Sequence, residues 1–309
     1  MNNQAIILTQ FGGVDTIKAS TTQFPEASPG LVVVRVRAAG INGLDWKIRE
    51  GYLRDAMPTV FPTVLGLELA GEVHAVGPGS RFAVGDRVFG LAAPGNGAYA
   101  EYVAVPEMLL APMPSKVSNQ VAAALPVAGL TAWQMLHAAG APKAGNTMLV
   151  HGAAGGVGTL LVQMAKQMDL NVIATASPSS RQHLLDLGVT TVIDRVTETF
   201  EDMVSGVDLV IDLVGADAPD RSWSVLREGG TMVSAARFDI AAPRTDGRHG
   251  IAFMMQPDGE RLAAIVRAVA DGQLNATIEE TVPFAAIPAA IERNRTGHGP
   301  GKTVADFAL

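Results

Sequence analysis

The most informative stretch of the chain reads Val150-His151-Gly152-Ala153-Ala154-Gly155-Gly156-Val157-Gly158-Thr159. An apolar segment precedes it and apolar residues at helical spacing follow it, so the glycines lie in a turn between a strand and a helix. Such a turn lets backbone N–H groups and the helix N-terminus approach a pyrophosphate. We therefore predict a dinucleotide site that includes Gly152, Gly155, Gly156, Val157 and Gly158. The alternative is a glycine-rich turn that binds nothing.

The residues after the next strand indicate which coenzyme binds. An NAD-selective site places an acidic residue about 20 residues beyond the glycines, but here the chain reads Ala176-Ser177-Pro178-Ser179-Ser180-Arg181. Hydroxyls and a guanidinium suit a 2′-phosphate, because charge-assisted hydrogen bonds to a dianion are strong. Ser177 and Arg181 are thus predicted to hold NADPH. The alternatives are helix capping by the serines and a solvent-exposed Arg181; Arg195 could also reach the phosphate.

Two patterns of secondary structure divide the chain. Short apolar runs broken by Gly and Pro extend to about residue 122 and predict an irregular β domain. Strand-like and helical segments then alternate, which predicts an α/β fold with a doubly wound parallel sheet. The predicted strands of that sheet cover residues 147–152, 171–175, 191–194, 208–214, 231–235 and 251–255. Helices near 259–270 and 285–293 and strands near 278–282 and 303–307 follow, and these strands are expected to return to the first domain.

Composition excludes several classes of protein. The 309 residues contain no cysteine, which rules out disulfides, thiolate metal sites and a cysteine nucleophile. A net charge of −7 argues against nucleic acid or an anionic membrane as the main partner. The beginning of the sequence lacks a basic segment followed by a long apolar one, so we expect a cytoplasmic protein.

Several further segments are informative when they are taken together and in their order along the chain. They are Ala38-Ala39-Gly40-Ile41-Asn42-Gly43-Leu44-Asp45-Trp46-Lys47-Ile48-Arg49-Glu50-Gly51, Gly66-Leu67-Glu68-Leu69-Ala70-Gly71-Glu72-Val73, Val84-Gly85-Asp86-Arg87-Val88, Leu130-Thr131-Ala132-Trp133, the glycine turn and Gly301-Lys302-Thr303-Val304. In this order they resemble the zinc-independent quinone oxidoreductase branch of the medium-chain dehydrogenase/reductase superfamily. The resemblance implies a GroES-like catalytic domain over residues 1–122 and 275–309, a Rossmann NADP(H)-binding domain over residues 123–274, and a cleft between them.

The chain also predicts that no metal takes part. Zinc-dependent relatives carry Gly-His-Glu where this sequence has Gly66-Leu67-Glu68, and leucine cannot ligate a metal. The six histidines show no paired ligand spacing; they are His74, His137, His151, His183, His249 and His298. Hydride transfer from the coenzyme then needs an acceptor that is already electrophilic, such as a quinone or an α,β-unsaturated carbonyl compound.

The resemblance implies four candidate catalytic residues in the first domain. Tyr52 is predicted to be the general acid or to orient the substrate, unless it merely packs over the cleft. Asn42 is placed beside the nicotinamide, or it only occupies a left-handed turn position. Asp45 is a candidate that could instead cap a helix starting at Trp46. Lys47 is predicted to contact the substrate oxygen or the coenzyme ribose, and the alternative is an exposed lysine.

The same resemblance adds residues near the nicotinamide. Thr131 is expected to open a helix and place a hydroxyl near the carboxamide, or simply to cap that helix. Leu213 and Val214 are expected to press on the ring, with Ser234 nearby, or to be ordinary strand ends. The long polar segment 238–249 is either a mobile flap or a surface loop near an oligomer contact. Relatives dimerise through the sixth strand, so a homodimer is expected.

These observations predict an NADPH-dependent oxidoreductase that transfers a hydride to quinones or α,β-unsaturated carbonyl compounds. One alternative is an enoyl-thioester reductase of a fatty-acid or polyketide pathway. Another is a non-catalytic NADPH-binding sensor. The expected partner is a small molecule, with neither nucleic acid nor a membrane involved.

Overall fold

The computed structural model describes residues 2–297 and 299–309 and divides into two compact units. The first unit takes the segments Met1–Val127, Pro257–His298 and Lys302–Leu309, and the second takes Ala128–Gln256 and Gly299–Gly301. The predicted domain boundaries stay a prediction. The expectation that His298 binds no metal lies outside the described residues.

Strands and helices alternate in the order that the sequence indicates. The described strands are β1 (Asn2–Leu8), β2 (Ile17–Gln23), β3 (Leu31–Gly40), β4 (Thr63–Val64), β5 (Glu68–Val76), β6 (Arg87–Leu91), β7 (Tyr102–Pro106), β8 (Leu110–Pro112), β9 (Thr147–His151), β10 (Asn171–Ala176), β11 (Thr191–Asp194), β12 (Val207–Asp212), β13 (Leu226–Ser234), β14 (His249–Ala252), β15 (Ile278–Pro283) and β16 (Lys302–Asp306). The described α-helices are α1 (Gly43–Arg49), α2 (Asn119–Ala123), α3 (Pro126–Ala138), α4 (Gly156–Gln167), α5 (Arg181–Asp186), α6 (Phe200–Met203), α7 (Ala218–Ser222), α8 (Gly259–Ala270) and α9 (Ile287–Thr296).

The first unit is built on two sheets. A three-stranded sheet has the order β2-β1-β4, and a seven-stranded sheet has the order β15-β16-β3-β5-β6-β8, with β7 pairing with β3. Strand β3 is central because its apolar run is covered on both faces, and Val32, Val33 and Val34 are all fully buried. The closing strands β15 and β16 return to this unit, as predicted.

The second unit is a six-stranded parallel sheet in the order β11-β10-β9-β12-β13-β14. Strand order reverses between β9 and β12, so their carboxyl ends define the switch point where doubly wound sheets bind ligands. The predicted α/β class, a β-rich domain combined with a doubly wound parallel sheet, is confirmed. Among the described residues, no helix combines the length and the apolarity needed to cross a bilayer.

Two boundaries differ from the sequence prediction for a physical reason. The sixth strand of the parallel sheet is predicted at residues 251–255 but runs over His249–Ala252, because its partner β13 ends at Ser234, which pairs with Ala252 and accepts the Phe253 N–H at 2.8 Å. His249 therefore begins a strand and does not end a loop. Within the segment 238–249, the side chain of Ile240 is 5% exposed and packs into the core of the second unit. Arg248 donates from Nε to the Leu226 carbonyl at 2.8 Å.

Candidate active site

The glycine turn joins β9 to α4 at the switch point of the parallel sheet. Gly155 is the N-cap of α4 and makes no side-chain capping hydrogen bond, so no side chain of the cap competes for the first N–H groups of the helix. Gly152 has a φ of +84°, and a Cβ there would lie 3.0 Å from Val214 and 3.2 Å from Leu213. The turn therefore fits a pyrophosphate chemically, with backbone donors and the positive end of a twelve-residue helix.

Asp212 organises the neighbouring strand ends. Its Oδ1 accepts the N–H groups of Val214 and Gly215 at 3.0 and 2.9 Å, and its Oδ2 accepts the Ser234 hydroxyl at 2.5 Å. The Ser234 hydroxyl oxygen also accepts the N–H groups of Ala236 and Arg237. Ser234 is fully buried, so it acts in the structure as a link between β12 and β13. Val214, in contrast, is 58% exposed beside the glycine turn and offers an apolar surface.

His151, the residue before the glycine turn, is buried between two hydroxyls. Its Nδ1 lies 2.9 Å from Thr175 Oγ1, and its Nε2 lies 2.8 Å from Ser222 Oγ. Because Ser222 donates its own proton to the Ala218 carbonyl at 2.7 Å, the geometry favours a neutral imidazole protonated on Nε2. Burial lowers the pKa of His151 from 6.5 to about 4, which keeps it uncharged. It is a structural histidine at the edge of the site.

The serines and Arg181 follow β10 directly, and their contact with a 2′-phosphate stays a prediction. Ser177 Oγ is 3.0 Å from Ser179 Oγ and 3.2 Å from Ser180 Oγ. The Arg181 side chain is 47% exposed, and its Nη2 lies 3.7 Å from Glu198 Oε2, too far for a hydrogen bond. Three hydroxyls and a guanidinium held only loosely by a carboxylate fit a 2′-phosphate.

Thr131 does not open a helix. Helix α3 begins at Pro126, and Thr131 lies inside it with 7% of its surface exposed. The expected position at the start of the helix and the capping alternative are therefore both wrong. A contact of its hydroxyl with the carboxamide stays a prediction.

A buried charged network in the first unit was not predicted. Lys302 on β16 donates from Nζ to Glu68 Oε1 at 2.6 Å and to Asn42 Oδ1. Asn42 Nδ2 donates to Glu68 Oε1 at 2.9 Å, and Glu68 Oε2 accepts the N–H of Val127 at 2.7 Å. Glu68 is fully buried and Asn42 is 6% exposed, so both atoms of the Asn42 amide are already used inside the protein. Its φ of −125° is extended, and the left-handed alternative is wrong.

Asp45 extends this network through Tyr99. Helix α1 begins at Gly43 with Asn42 as N-cap, so the expectation that it starts at Trp46 with Asp45 as cap is wrong. The Asp45 Oδ2 accepts the Asn42 N–H at 2.7 Å and the Tyr99 hydroxyl at 2.7 Å, while its Oδ1 is buried without a hydrogen-bond partner. Burial raises the pKa of Asp45 from 3.8 to about 6, although the hydrogen bonds from Tyr99 and Asn42 oppose that shift. Burial also raises the pKa of Tyr99.

Of the other two candidate catalytic residues, Tyr52 is exposed and Lys47 is half-buried. Tyr52 is 72% exposed, and its ring meets Trp46 edge-on at 5.8 Å between centroids. Lys47 places its Nζ 5.6 Å from the centre of the same indole. The structure thus brings Tyr52 and Lys47 together around Trp46, and separately brings Asn42 and Asp45 together in the buried network.

A zinc site does not fit this chain. The sequence has no cysteine, and the described residues contain no group of three or more histidine, aspartate or glutamate side chains that could hold a metal ion. Leu67 occupies the position of the histidine in zinc-dependent relatives.

The sequence reasoning missed five functional or supporting residues: Glu68, Tyr99, His151, Asp212 and Lys302. For Glu68 and Lys302 a signal was available, because each is a charged residue within a short apolar segment, and such residues need a partner when buried. Asp212 ends an apolar strand and gave a similar signal. Tyr99 and His151 could be assigned only from their neighbours in space.

Residues 28–115 match the family described as alcohol dehydrogenase GroES-like domain, and residues 187–304 match that described as zinc-binding dehydrogenase. Together with the doubly wound sheet and its glycine turn, these matches define the class of protein: an NAD(P)-dependent oxidoreductase with a GroES-like unit and a Rossmann unit. The chain is 34% identical to 2-methylene-furan-3-one reductase of Solanum lycopersicum, over 96% of this chain and 77% of that protein.

Solved structures agree with this class. The quinone oxidoreductase of Coxiella burnetii has 32% identity and a TM-score of 0.91, covering 99% of this chain and 100% of that one. A mycobacterial protein solved in complex with NADPH has 30% identity and a TM-score of 0.87, covering 98% and 99%. The chain belongs to the quinone oxidoreductase-like branch of the medium-chain dehydrogenase/reductase superfamily, as its motifs predicted.

Proposed function

We propose that this protein is an NADPH-dependent reductase of quinones and α,β-unsaturated carbonyl compounds. When bound, NADPH would supply a hydride, and a proton would complete the reduction of an enone to a saturated ketone or of a quinone to a quinol. The acceptor takes the hydride without a metal, because its conjugated carbonyl already draws electrons from the reacting carbon. The names of the furanone reductase and of the Coxiella burnetii quinone oxidoreductase support these acceptor classes.

The observation that carries the coenzyme choice is the group of polar side chains after β10. No acidic residue lies between Ala176 and Arg181, so no carboxylate occupies the sequence positions where an NAD-selective site would bind the ribose 2′-hydroxyl. The Ser177 hydroxyl lies 3.0 Å from that of Ser179 and 3.2 Å from that of Ser180, and Arg181 follows directly. We infer that this group binds the 2′-phosphate, while the glycine turn binds the pyrophosphate.

Tyr52 and Lys47 of the first unit supply the proton and orient the acceptor. A quinol or enolate oxygen becomes negative as the hydride arrives, and a positioned O–H or N–H group stabilises it. Tyr52 offers an exposed hydroxyl and the half-buried Lys47 offers an ammonium group, both beside Trp46. Asn42 and Asp45 are positioning residues in this proposal, since their hydrogen bonds fix the start of α1 from beneath.

The proposal is tested by following NADPH oxidation with 1,4-benzoquinone, 9,10-phenanthrenequinone, 3-buten-2-one and a crotonyl thioester. We expect turnover with the quinones or the enone. A rate with the thioester that far exceeds the rate with free enones would replace the proposal by an enoyl-thioester reductase. Tight NADPH binding without any turnover would indicate a sensor.

A single substitution tests the phosphate contact. We predict that Arg181→Ala raises the KM for NADPH about 10- to 100-fold, because a charge-assisted hydrogen bond contributes roughly 1.5–3 kcal/mol, and leaves NADH kinetics nearly unchanged. Arg227→Ala is the matched control, since Arg227 is half-exposed in the same unit and pairs with Asp208 at 2.6 Å. An equal effect of Arg181→Ala on both coenzymes would show that Arg181 does not contact the phosphate, and Arg195→Ala would then be measured.

A further inference from the structure

The first unit contains a cavity of about 660 Å³. It lies between residues 56–67 and residues 92–97, and Ile48 of α1 closes one side. A volume of this size is typical of a site for a small molecule. Because Ile48 follows Lys47 in the same helix, one wall of the cavity belongs to the element that carries a candidate donor.

Most of the side chains that line this cavity are apolar. Ile48, Met57, Val60, Leu65, Leu67 and Ala92 contribute hydrocarbon surface, and none of the described residues that line the cavity is charged. Thr59 and Thr63 carry the hydroxyls among these residues, and Thr59 donates to the Met57 carbonyl at 3.2 Å.

Three backbone carbonyls of the inner wall already have partners within the protein. The carbonyls of Leu65, Gly66 and Leu67 accept the N–H groups of Tyr99, Ala98 and Ala92 at 2.9, 3.0 and 2.9 Å. A charged group placed there would lose water without gaining an oppositely charged side chain, whereas a hydrocarbon chain would gain from leaving water.

Apolar side chains also stand exposed among the lining residues. Val60 is 86% exposed and Met57 is 37% exposed. An alkyl chain that enters the cavity would cover part of this surface, which adds to the favourable transfer of the chain itself.

We propose that this cavity binds the uncharged alkyl chain of the acceptor, so that the preferred substrates are lipophilic enones with a medium-length hydrocarbon tail. The inference rests on the proposed function and narrows its substrate class. It predicts a low kcat/KM for acceptors whose tail carries a charge. Coenzyme A thioesters, with their phosphate-bearing arm, belong to that group.

A series of linear enones that all carry one alkyl group on the reacting carbon tests the proposal: 3-penten-2-one, 3-hexen-2-one, 3-hepten-2-one and 3-octen-2-one with NADPH. We expect kcat/KM to rise about three- to fourfold for each added methylene until the cavity is filled, as the transfer free energy of a buried methylene implies. An enone of the same length as 3-octen-2-one that ends in a carboxylate should lose at least tenfold. Equal kcat/KM along the series would overturn the proposal.

Substitutions at the exposed part of the lining connect this preference to the cavity. Val60→Asp cannot leave a hole in a core, because Val60 is 86% exposed, and it should lower the ratio of kcat/KM for 3-octen-2-one to that for 3-penten-2-one at least fivefold. Val196→Asp changes an equally apolar residue that is 71% exposed in the second unit, and it should leave that ratio unchanged. The same ratio in both variants would contradict the assignment.

A binding measurement separates this inference from the proposed reaction. Calorimetric titration with 2-octanone, which cannot accept a hydride at a conjugated carbon, should give binding that Val60→Asp weakens. Binding of 2-octanone together with no turnover of any acceptor would overturn the proposed function and support the cavity assignment. Turnover of enones with no binding of 2-octanone would overturn the cavity assignment alone.

Discussion

Two buried residues have pKa values displaced in opposite directions. Burial raises the pKa of Asp45 from 3.8 to about 6, and burial lowers the pKa of His151 from 6.5 to about 4. In each case the buried neutral form is favoured, because neither side chain has an ion-pair partner in direct contact. Both shifts link the stability of the fold to pH.

The two residues affect stability with opposite signs. The folded-state pKa of Asp45 lies above its unfolded value, so its contribution is fully present below about pH 3.8 and is lost as the pH rises through 6. The folded-state pKa of His151 lies below its unfolded value, so its contribution is present above about pH 6.5 and is lost as the pH falls through 4. Each residue changes the free energy of unfolding by about 3 kcal/mol over its pH window. Between pH 4 and 6 the two pH dependences have opposite slopes and largely cancel.

Replacing either Asp45 or His151 should reveal the pH dependence of stability that the remaining residue causes. We predict that Asp45→Asn becomes more stable than the unsubstituted protein as the pH rises from about 4 to 6, by up to about 3 kcal/mol relative to their difference at pH 4. His151→Gln should show the opposite trend, gaining relative stability as the pH falls through the same window. Urea unfolding at a series of pH values measures both. Parallel pH profiles for all three proteins would contradict the pKa assignments.

At the next level of structure, the start of α4 depends on one close contact. A Cβ on Gly158 would lie 2.4 Å from the Gly152 carbonyl oxygen and 2.5 Å from Ala153 Cα, and both obstacles are backbone. The glycine therefore sets how closely α4 approaches the end of β9, which in turn aims the first N–H groups of the helix.

We predict that Gly158→Ala lowers the free energy of unfolding by more than about 2 kcal/mol and weakens NADPH binding at least tenfold, because helix and turn must separate. Gly43→Ala is the matched control: it too lies in the first turn of a helix, but its Cβ would meet nothing closer than 3.7 Å. There alanine should leave stability unchanged or slightly raised. Thermal unfolding measures the stability of both variants, and calorimetric titration measures their NADPH binding. A Gly158→Ala protein with unchanged stability and unchanged NADPH affinity would refute the close-contact explanation.

Most elements were predictable from sequence because local patterns determine them. The parallel strands alternate with helices, and β11 was predicted at its observed bounds. Strand β13 begins earlier than expected, at Leu226. Leu226 pairs with Val207, but the pairing register shifts between Val207 and Leu209, and the polar residues after Leu226 hide the apolar pattern that predicts a strand. The glycine turn and the serines could be found by spacing. The partners of Asn42 could not, since Lys302 lies 260 residues away and only the folded sheet brings them together.

The whole first unit depends on a strand from the far end of the sequence. Strand β16 pairs in parallel with β15 and antiparallel with β3, and Lys302 at its start neutralises the fully buried Glu68. A buried pair of this kind contributes little by itself, but losing one partner leaves an uncompensated charge.

We predict that Lys302→Met destabilises the protein by about 3–5 kcal/mol, and that adding Glu68→Gln recovers a large part of the loss by removing the orphaned charge. Thermal or urea unfolding of both single variants and the double variant completes the cycle. Glu68→Gln alone serves as the reference, and strictly additive effects of the two substitutions would show that the pair is not coupled.

The position of β16 between β15 and β3 also fixes an order of events during synthesis. While the ribosome is still extending the chain, the parallel sheet of the second unit already has all six of its strands and can form. The large sheet of the first unit lacks its last two strands, β15 and β16, until residues 302–306 emerge, although β1 to β8 were made long before. The earliest part of the polypeptide is thus among the last to reach its finished state, and the Ala38–Gly40 end of β3 has no strand to pair with on that edge during the interval.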